Sequence, residues 1–165
     1  MTAETMITMA LSACAGVAAT VTMDLLGSIS RRVGLSAGAK GTWVGRWYLG
    51  IPRGKFAHAD IRAAPEQPGE KRAALVGHYA IGIVLAVFYV VGARWLGLPP
   101  SGFVVAVGYG LATCVFPLLL VYPALGFGPF GRRAPPELKP VTSSLINHFL
   151  YGIGLWWSSH LLSIG

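Results

Sequence analysis

The sequence predicts an all-α integral membrane protein: a four-helix bundle whose basic cytoplasmic loop carries a short interfacial helix. Three observations carry this expectation. Of 165 residues, 54% are hydrophobic and only 12% charged, about half the charge fraction of an ordinary soluble domain. The apolar residues gather into four runs, at 6–29, 73–93, 102–123 and 141–164. Thirteen Lys and Arg against six Asp and Glu leave a net charge of +7, and the basic residues fall between the runs. So much apolar surface excludes a disordered chain. It also leaves no length for a separate soluble domain, so residues 1–165 read as a single transmembrane domain.

The first run contains one charge, Asp24, and the other three contain none. Each reaches the roughly 20 residues that a helix needs to cross a hydrocarbon core about 30 Å thick. All are much longer than buried strands, and a helix satisfies its own backbone in lipid. Leu11-Ser12-Ala13-Cys14 has the pattern of a lipoprotein cleavage box. Residues 1–10 carry Glu4 but no Lys or Arg, and the apolar run continues past Cys14, so the box reads as a small-residue patch of the first helix. On that helix Ala13, Gly16, Thr20, Asp24 and Gly27 recur at spacings of three and four, a stripe expected to pack against other helices. Cys14 and Cys114 lie in different runs without disulfide or metal spacing, as small packing residues.

Orientation follows from the Lys and Arg count. Nine lie in the connection 30–72 and three in 124–140, and only Arg94 lies on the opposite side. Both basic connections are shorter than about 60 residues, so the positive-inside rule places them on the cytoplasmic side and both termini outside. Trp95, Trp156 and Trp157 then fall near the outer ends of their spans. Within 42–50, Trp43 and Trp47 stand one helical turn apart beside Arg46, which suggests a short helix lying on the inner leaflet. A Pro- and Gly-marked turn follows at 51–58. The loops imply anionic headgroups of the bilayer as partner. No recognition motif accompanies the charge, so nucleic acid is not an expected partner. In the third run Pro117 predicts a kink and a freed carbonyl near Thr113.

Three ionisable residues interrupt the apolar runs. Asp24, His78 and His148, on three different helices, each lie about 8–10 Å from the cytoplasmic end at 1.5 Å per residue. Asn147 and Tyr151 share that layer on the fourth helix. A buried Asp is costly and calls for a partner in the bundle interior. Asp24, His78 and His148 together suit a transition metal such as Zn or Fe. They equally suit a proton relay or a general acid and base, or a hydrogen bond that only fixes helix register. A single bis-His haem would use His78 and His148 alone. Arg46, Arg53, Lys55 and His58 could gather an anion above this layer, with Arg53 and His58 as a lid.

The strings Gly45-Arg46-Trp47, Gly50-Ile51-Pro52-Arg53-Gly54-Lys55-Phe56-Ala57-His58, Gly69-Glu70 and His78-Tyr79-Ala80-Ile81-Gly82 resemble a family of small bacterial inner-membrane proteins known only as a domain of unknown function. Ala18-Ala19-Thr20, Met23-Asp24 and the stretch from His148 to Gly154 are similar to it as well. The resemblance spans nearly the whole chain and implies an architecture without an activity. No Walker loop, dinucleotide fingerprint, HExxH, GxSxG or CxxC occurs. The leading expectation is a cytoplasm-facing polar pocket of Asp24, His78, His148, Asn147 and Tyr151 that binds a metal ion or small polar ligand. The alternatives are a structural or assembly subunit, with a homo-oligomer or a membrane partner, and an enzyme acting on a lipid or lipid-linked anion.

Overall fold

A computed structural model describes residues 2–164, and among them there is helix and turn but no strand. The helices are α1 (Ala3–Arg32), α2 (Gly41–Gly50), α3 (Glu70–Trp95), α4 (Phe103–Ala112), α5 (Tyr122–Ala124) and α6 (Pro140–Leu161). A π-helical turn at Pro117–Val121 leads into α5, and 3₁₀ turns occupy Ile51–Arg53, Pro129–Gly131 and Pro136–Leu138. Both long N-terminal helices stop on a left-handed glycine. Gly34 (φ 72°) follows α1 and Gly97 (φ 68°) follows α3. The next amide folds back in each case, Leu35 onto Ser30 O at 3.0 Å and Leu98 onto Ala93 O at 2.8 Å, which satisfies carbonyls that the helix end would orphan. The kink expected at Pro117 is present: the regular helix ends at Ala112 and resumes as the wider π turn.

Three stretches are long and apolar enough to cross a membrane: Ala3–Arg32, Glu70–Trp95 and Phe103–Ala124. The fourth expected span is also a helix, α6, but it falls outside that group. Ser143, Ser144, Asn147, His148, Ser158, Ser159 and His160 dilute its apolar content.

The chain divides into two compact units. The first comprises Met1–Ile29, Tyr79–Thr113 and Asn147–Gly165. Its core holds Ala15, Ala19, Ala86, Tyr89, Val90, Ala106, Tyr151 and Leu155, and small residues set how closely its helices approach. A Cβ on Gly16 of α1 would lie 2.7 Å from Ile83 Cα of α3. One on Gly154 of α6 would lie 2.6 Å from Ala19 Cα of α1, and one on Gly152 would lie 2.8 Å from Val107 Cα of α4. Gly16, Thr20 and Gly27 of the expected stripe are buried, and Ala13 and Asp24 half-buried. Close backbone approach of this kind gives van der Waals contact where lipid supplies no hydrophobic drive between helices.

The second unit comprises Ser30–His78 and Cys114–Ile146. Trp47, Ile61, Leu118, Tyr122, Leu125 and Phe127 form its core. The segment after α2 is tied to that after α5, through His58 N to Ala124 O at 2.8 Å and Ile61 N to Leu125 O at 3.0 Å. Helix α2 is where the sequence places it, but Trp47 is not an interfacial ring. It is 7% exposed, and its indole N–H donates to Phe56 O at 2.8 Å. Trp43 meets Phe127 edge to face at 5.8 Å between centroids.

Candidate functional site

In the first unit the polar groups are delivered by the glycine contacts. α1 and α3 run antiparallel, with Gly16 against Ile83 and Thr20 against Gly82, and this register brings the Tyr79 phenol to Asp24 Oδ2, to which it donates at 3.3 Å. Helices α4 and α6 touch where a Cβ on Gly110 would meet His148 O and Gly152. The same contact places Thr113 Oγ1 2.7 Å from His148 Nδ1. The Thr113 hydroxyl also lies 2.6 Å from Gly110 O, to which it donates. A hydroxyl has one proton, and with that proton on Gly110 O the oxygen accepts from His148. The network therefore has His148 Nδ1 donate to the Thr113 oxygen.

Two further residues complete this layer. The Tyr151 hydroxyl donates to Gly82 O at 2.6 Å, so its proton is committed to joining α6 to α3. Asn147, half-buried beside His148, has a buried Oδ1 without a hydrogen-bond partner. An orphaned buried acceptor is uncommon and marks a place that a donor would fill.

Depth can be read along the helices. Thr8 of α1 accepts from Arg94 of α3 at 2.9 Å, which pairs the α1 start with the α3 end. Asp24 lies sixteen residues further along α1, about 24 Å at helical rise.

His78, Arg53 and His58 belong to the second unit. His78 is half-buried on α3. Arg53 is exposed and donates to Gln67 Oε1 at 2.7 Å. His58 is 8% exposed, and its Nε2 is buried without a hydrogen-bond partner. Burial, then the Lys55 and Arg46 charges, hold its pKa below the ordinary histidine value.

Among the described residues no three His, Cys, Asp or Glu side chains gather so as to hold a metal ion. The Zn or Fe reading of Asp24, His78 and His148 therefore finds no support: common depth is necessary for a ligand set, but the rotation of each helix must also converge the side chains. Arg46 is likewise not part of an anion cluster. It is 3% exposed, and its guanidinium forks onto Glu70, with Nε to Oε2 at 2.8 Å and Nη2 to Oε1 at 3.1 Å. Nη1 donates to Ile61 O at 3.1 Å and Ala64 O at 2.6 Å. Glu70 holds its pKa above the ordinary arginine value. Gly45 makes this clamp possible, because a Cβ there would occupy the Glu70 backbone.

Sequence reasoning missed Tyr79 as a donor to Asp24, the Thr113 hydroxyl as a partner of His148, and the Arg46–Glu70 clamp. Tyr79 adjoins His78 and Thr113 adjoins the Pro117 kink, but nothing local announces their partners.

The family model described as protein of unknown function (DUF2938) matches residues 13–162. No curated protein and no solved structure matches the chain.

Proposed function

The chain belongs to the DUF2938 family of proteins of unknown function, which lends it no activity, and from the site itself we propose a bacterial inner-membrane protein that binds a small polar ligand within the bilayer. Helices α1, α3, α4 with α5, and α6 all cross, the loops 30–72 and 124–140 face the cytoplasm, and both termini lie outside. Asp24, His148 and Asn147 receive the ligand, which donates hydrogen bonds and enters from the cytoplasmic leaflet.

The observation that carries this reading is the buried Asn147 Oδ1 without a partner, in one unit with a carboxyl that accepts from Tyr79 and an imidazole that meets Thr113. An Asp costs about 2.5–3.5 kcal/mol at the centre of a span and less nearer an interface, where Asp24 lies. Sustaining that cost beside an unfilled acceptor supports a group kept for use. The depth of Asp24, about 24 Å from the Thr8–Arg94 end in a core about 30 Å thick, supports entry from the far side.

Two experiments test it. In a background with Cys14 and Cys114 replaced by Ala, a membrane-impermeant thiol reagent on intact cells should label Thr2→Cys and Ser163→Cys. Arg62→Cys and Glu137→Cys should react only after permeabilisation, and the opposite pattern overturns the orientation. Native mass spectrometry of protein purified in mild detergent should show a small molecule retained by the wild type and lost from Asp24→Asn and Asn147→Leu. Wild type that retains nothing after incubation with cell extract sinks the binding reading.

A further inference from the structure

At the end of the first unit opposite Asp24, α1 and α3 flank an open cleft of about 340 Å³ lined by Glu4, Thr5, Thr8, Met9, Val91 and Arg94. That volume lies at the lower end of the roughly 300–1,000 Å³ of small-molecule sites. Its chemistry is mixed in a particular way. Arg94 Nη1 donates to Thr8 Oγ1 at 2.9 Å, which holds the guanidinium on one wall while the side chain stays exposed. Glu4, in the first turn of α1, lends the lining a negative charge, and Thr5 and Thr8 add hydroxyls. Beyond these charges the same helices turn apolar outward. Met9, Phe88 and Val91 are exposed, and Trp95, next to Arg94, is 84% exposed. A Trp at such a rim suits the headgroup level of a bilayer.

A site with a cation, an anion and two hydroxyls at its mouth and exposed apolar helix faces below matches a molecule with the same order of parts. We propose that this cleft seats the headgroup of a zwitterionic phospholipid of the outer leaflet. The phosphate diester lies against Arg94 and Thr8, the ammonium lies against Glu4, and the acyl chains lie over Val91 and Phe88. Arg is suited to a phosphate by its planar donors. Glu4 supplies the discrimination, because a lipid whose headgroup carries no cation leaves that carboxylate unpaired beside a phosphate. The inference rests on the membrane reading above, but not on the Asp24 ligand.

The test is native mass spectrometry of the full chain in detergent, titrated with equal concentrations of phosphatidylethanolamine and phosphatidylglycerol of identical chains. Wild type should retain phosphatidylethanolamine about tenfold more than phosphatidylglycerol, the worth of one charge-assisted hydrogen bond. Glu4→Gln should bring the two lipids to parity, Arg94→Gln should lose both, and Arg94→Lys should keep part of the binding. Soluble O-phosphoethanolamine should fail to displace the lipid at equal concentration. Equal retention of the two lipids by wild type, a preference unchanged by Glu4→Gln, or displacement by the soluble headgroup each overturns the proposal. Both residues are exposed, so the variants should elute as the wild type does in size exclusion. The thiol-labelling pattern above is independent of Glu4 and Arg94, so failure of the membrane reading would be seen separately.

Discussion

Removing the Glu70 carboxylate should open the second unit, and the structure sets the scale of the effect. Arg46 makes two hydrogen bonds to Glu70 and two to the carbonyls of Ile61 and Ala64, with side chains only 3% and 10% exposed. Glu70→Ala leaves a buried guanidinium with half its acceptors, which costs about 3–5 kcal/mol when a buried pair loses one member. Against a total stability of about 5–15 kcal/mol this is a large fraction. Arg46→Met should cost at least as much, since it strands the carboxylate and two carbonyls together. Arg46→Lys should not rescue, because an ammonium cannot reproduce the fork. The double variant Arg46→Met with Glu70→Ala should lose less than the two single losses combined, with a coupling on the order of 2–3 kcal/mol. Denaturant titration in detergent micelles gives these values. Limited trypsin digestion gives the local readout, because Ile61 and Ala64 flank the exposed Arg62, and cleavage there should rise once their carbonyls are released. A Glu70→Ala loss below about 1 kcal/mol with unchanged cleavage at Arg62 would refute the clamp.

The remaining expectations concern packing, pH and the polar layer. Gly16→Ala must push a Cβ into Ile83 and Ala86 and should destabilise by about 1–3 kcal/mol. Gly92→Ala and Gly108→Ala meet open space and should instead gain about 0.5–1 kcal/mol as helix-interior replacements; the same unfolding titration separates the two classes. His58 has a folded pKa held below its ordinary 6.5, so the folded state binds fewer protons than the unfolded one. Its contribution should be complete above pH 6.5 and lost as pH falls through the lower folded value, a decline that unfolding titrations stepped downward in pH should show in wild type and not in His58→Phe. Thr113→Val should cost about 1–2 kcal/mol by leaving His148 Nδ1 without its partner, whereas Thr113→Ser should be nearly neutral. A loss in Thr113→Ser with none in Thr113→Val would show that the Thr113 methyl, not the hydroxyl, matters.

What the sequence by itself determined was the set of helices. Lipid or a dry core demands that each long apolar stretch satisfy its own backbone, so the runs at 6–29, 73–93, 102–123 and 141–164 coincide closely with α1, α3, α4 with α5, and α6. Pro117 broke its helix where the missing N–H required. The small-residue stripe on α1 was also legible, because spacing alone places Gly16, Thr20 and Gly27 on one face. Tertiary structure decided what the polar side chains touch. Tyr79 donates to Asp24, and His148 meets a hydroxyl 35 residues away. Arg46 abandons a loop cluster for Glu70 and two carbonyls, and Trp47 leaves the interface for a core. Each of these partnerships depends on the rotation and closeness of two helices, set by backbone contacts at Gly16, Gly45 and Gly110. Local periodicity fixes depth along a helix, whereas convergence of side chains is a property of the packed pair.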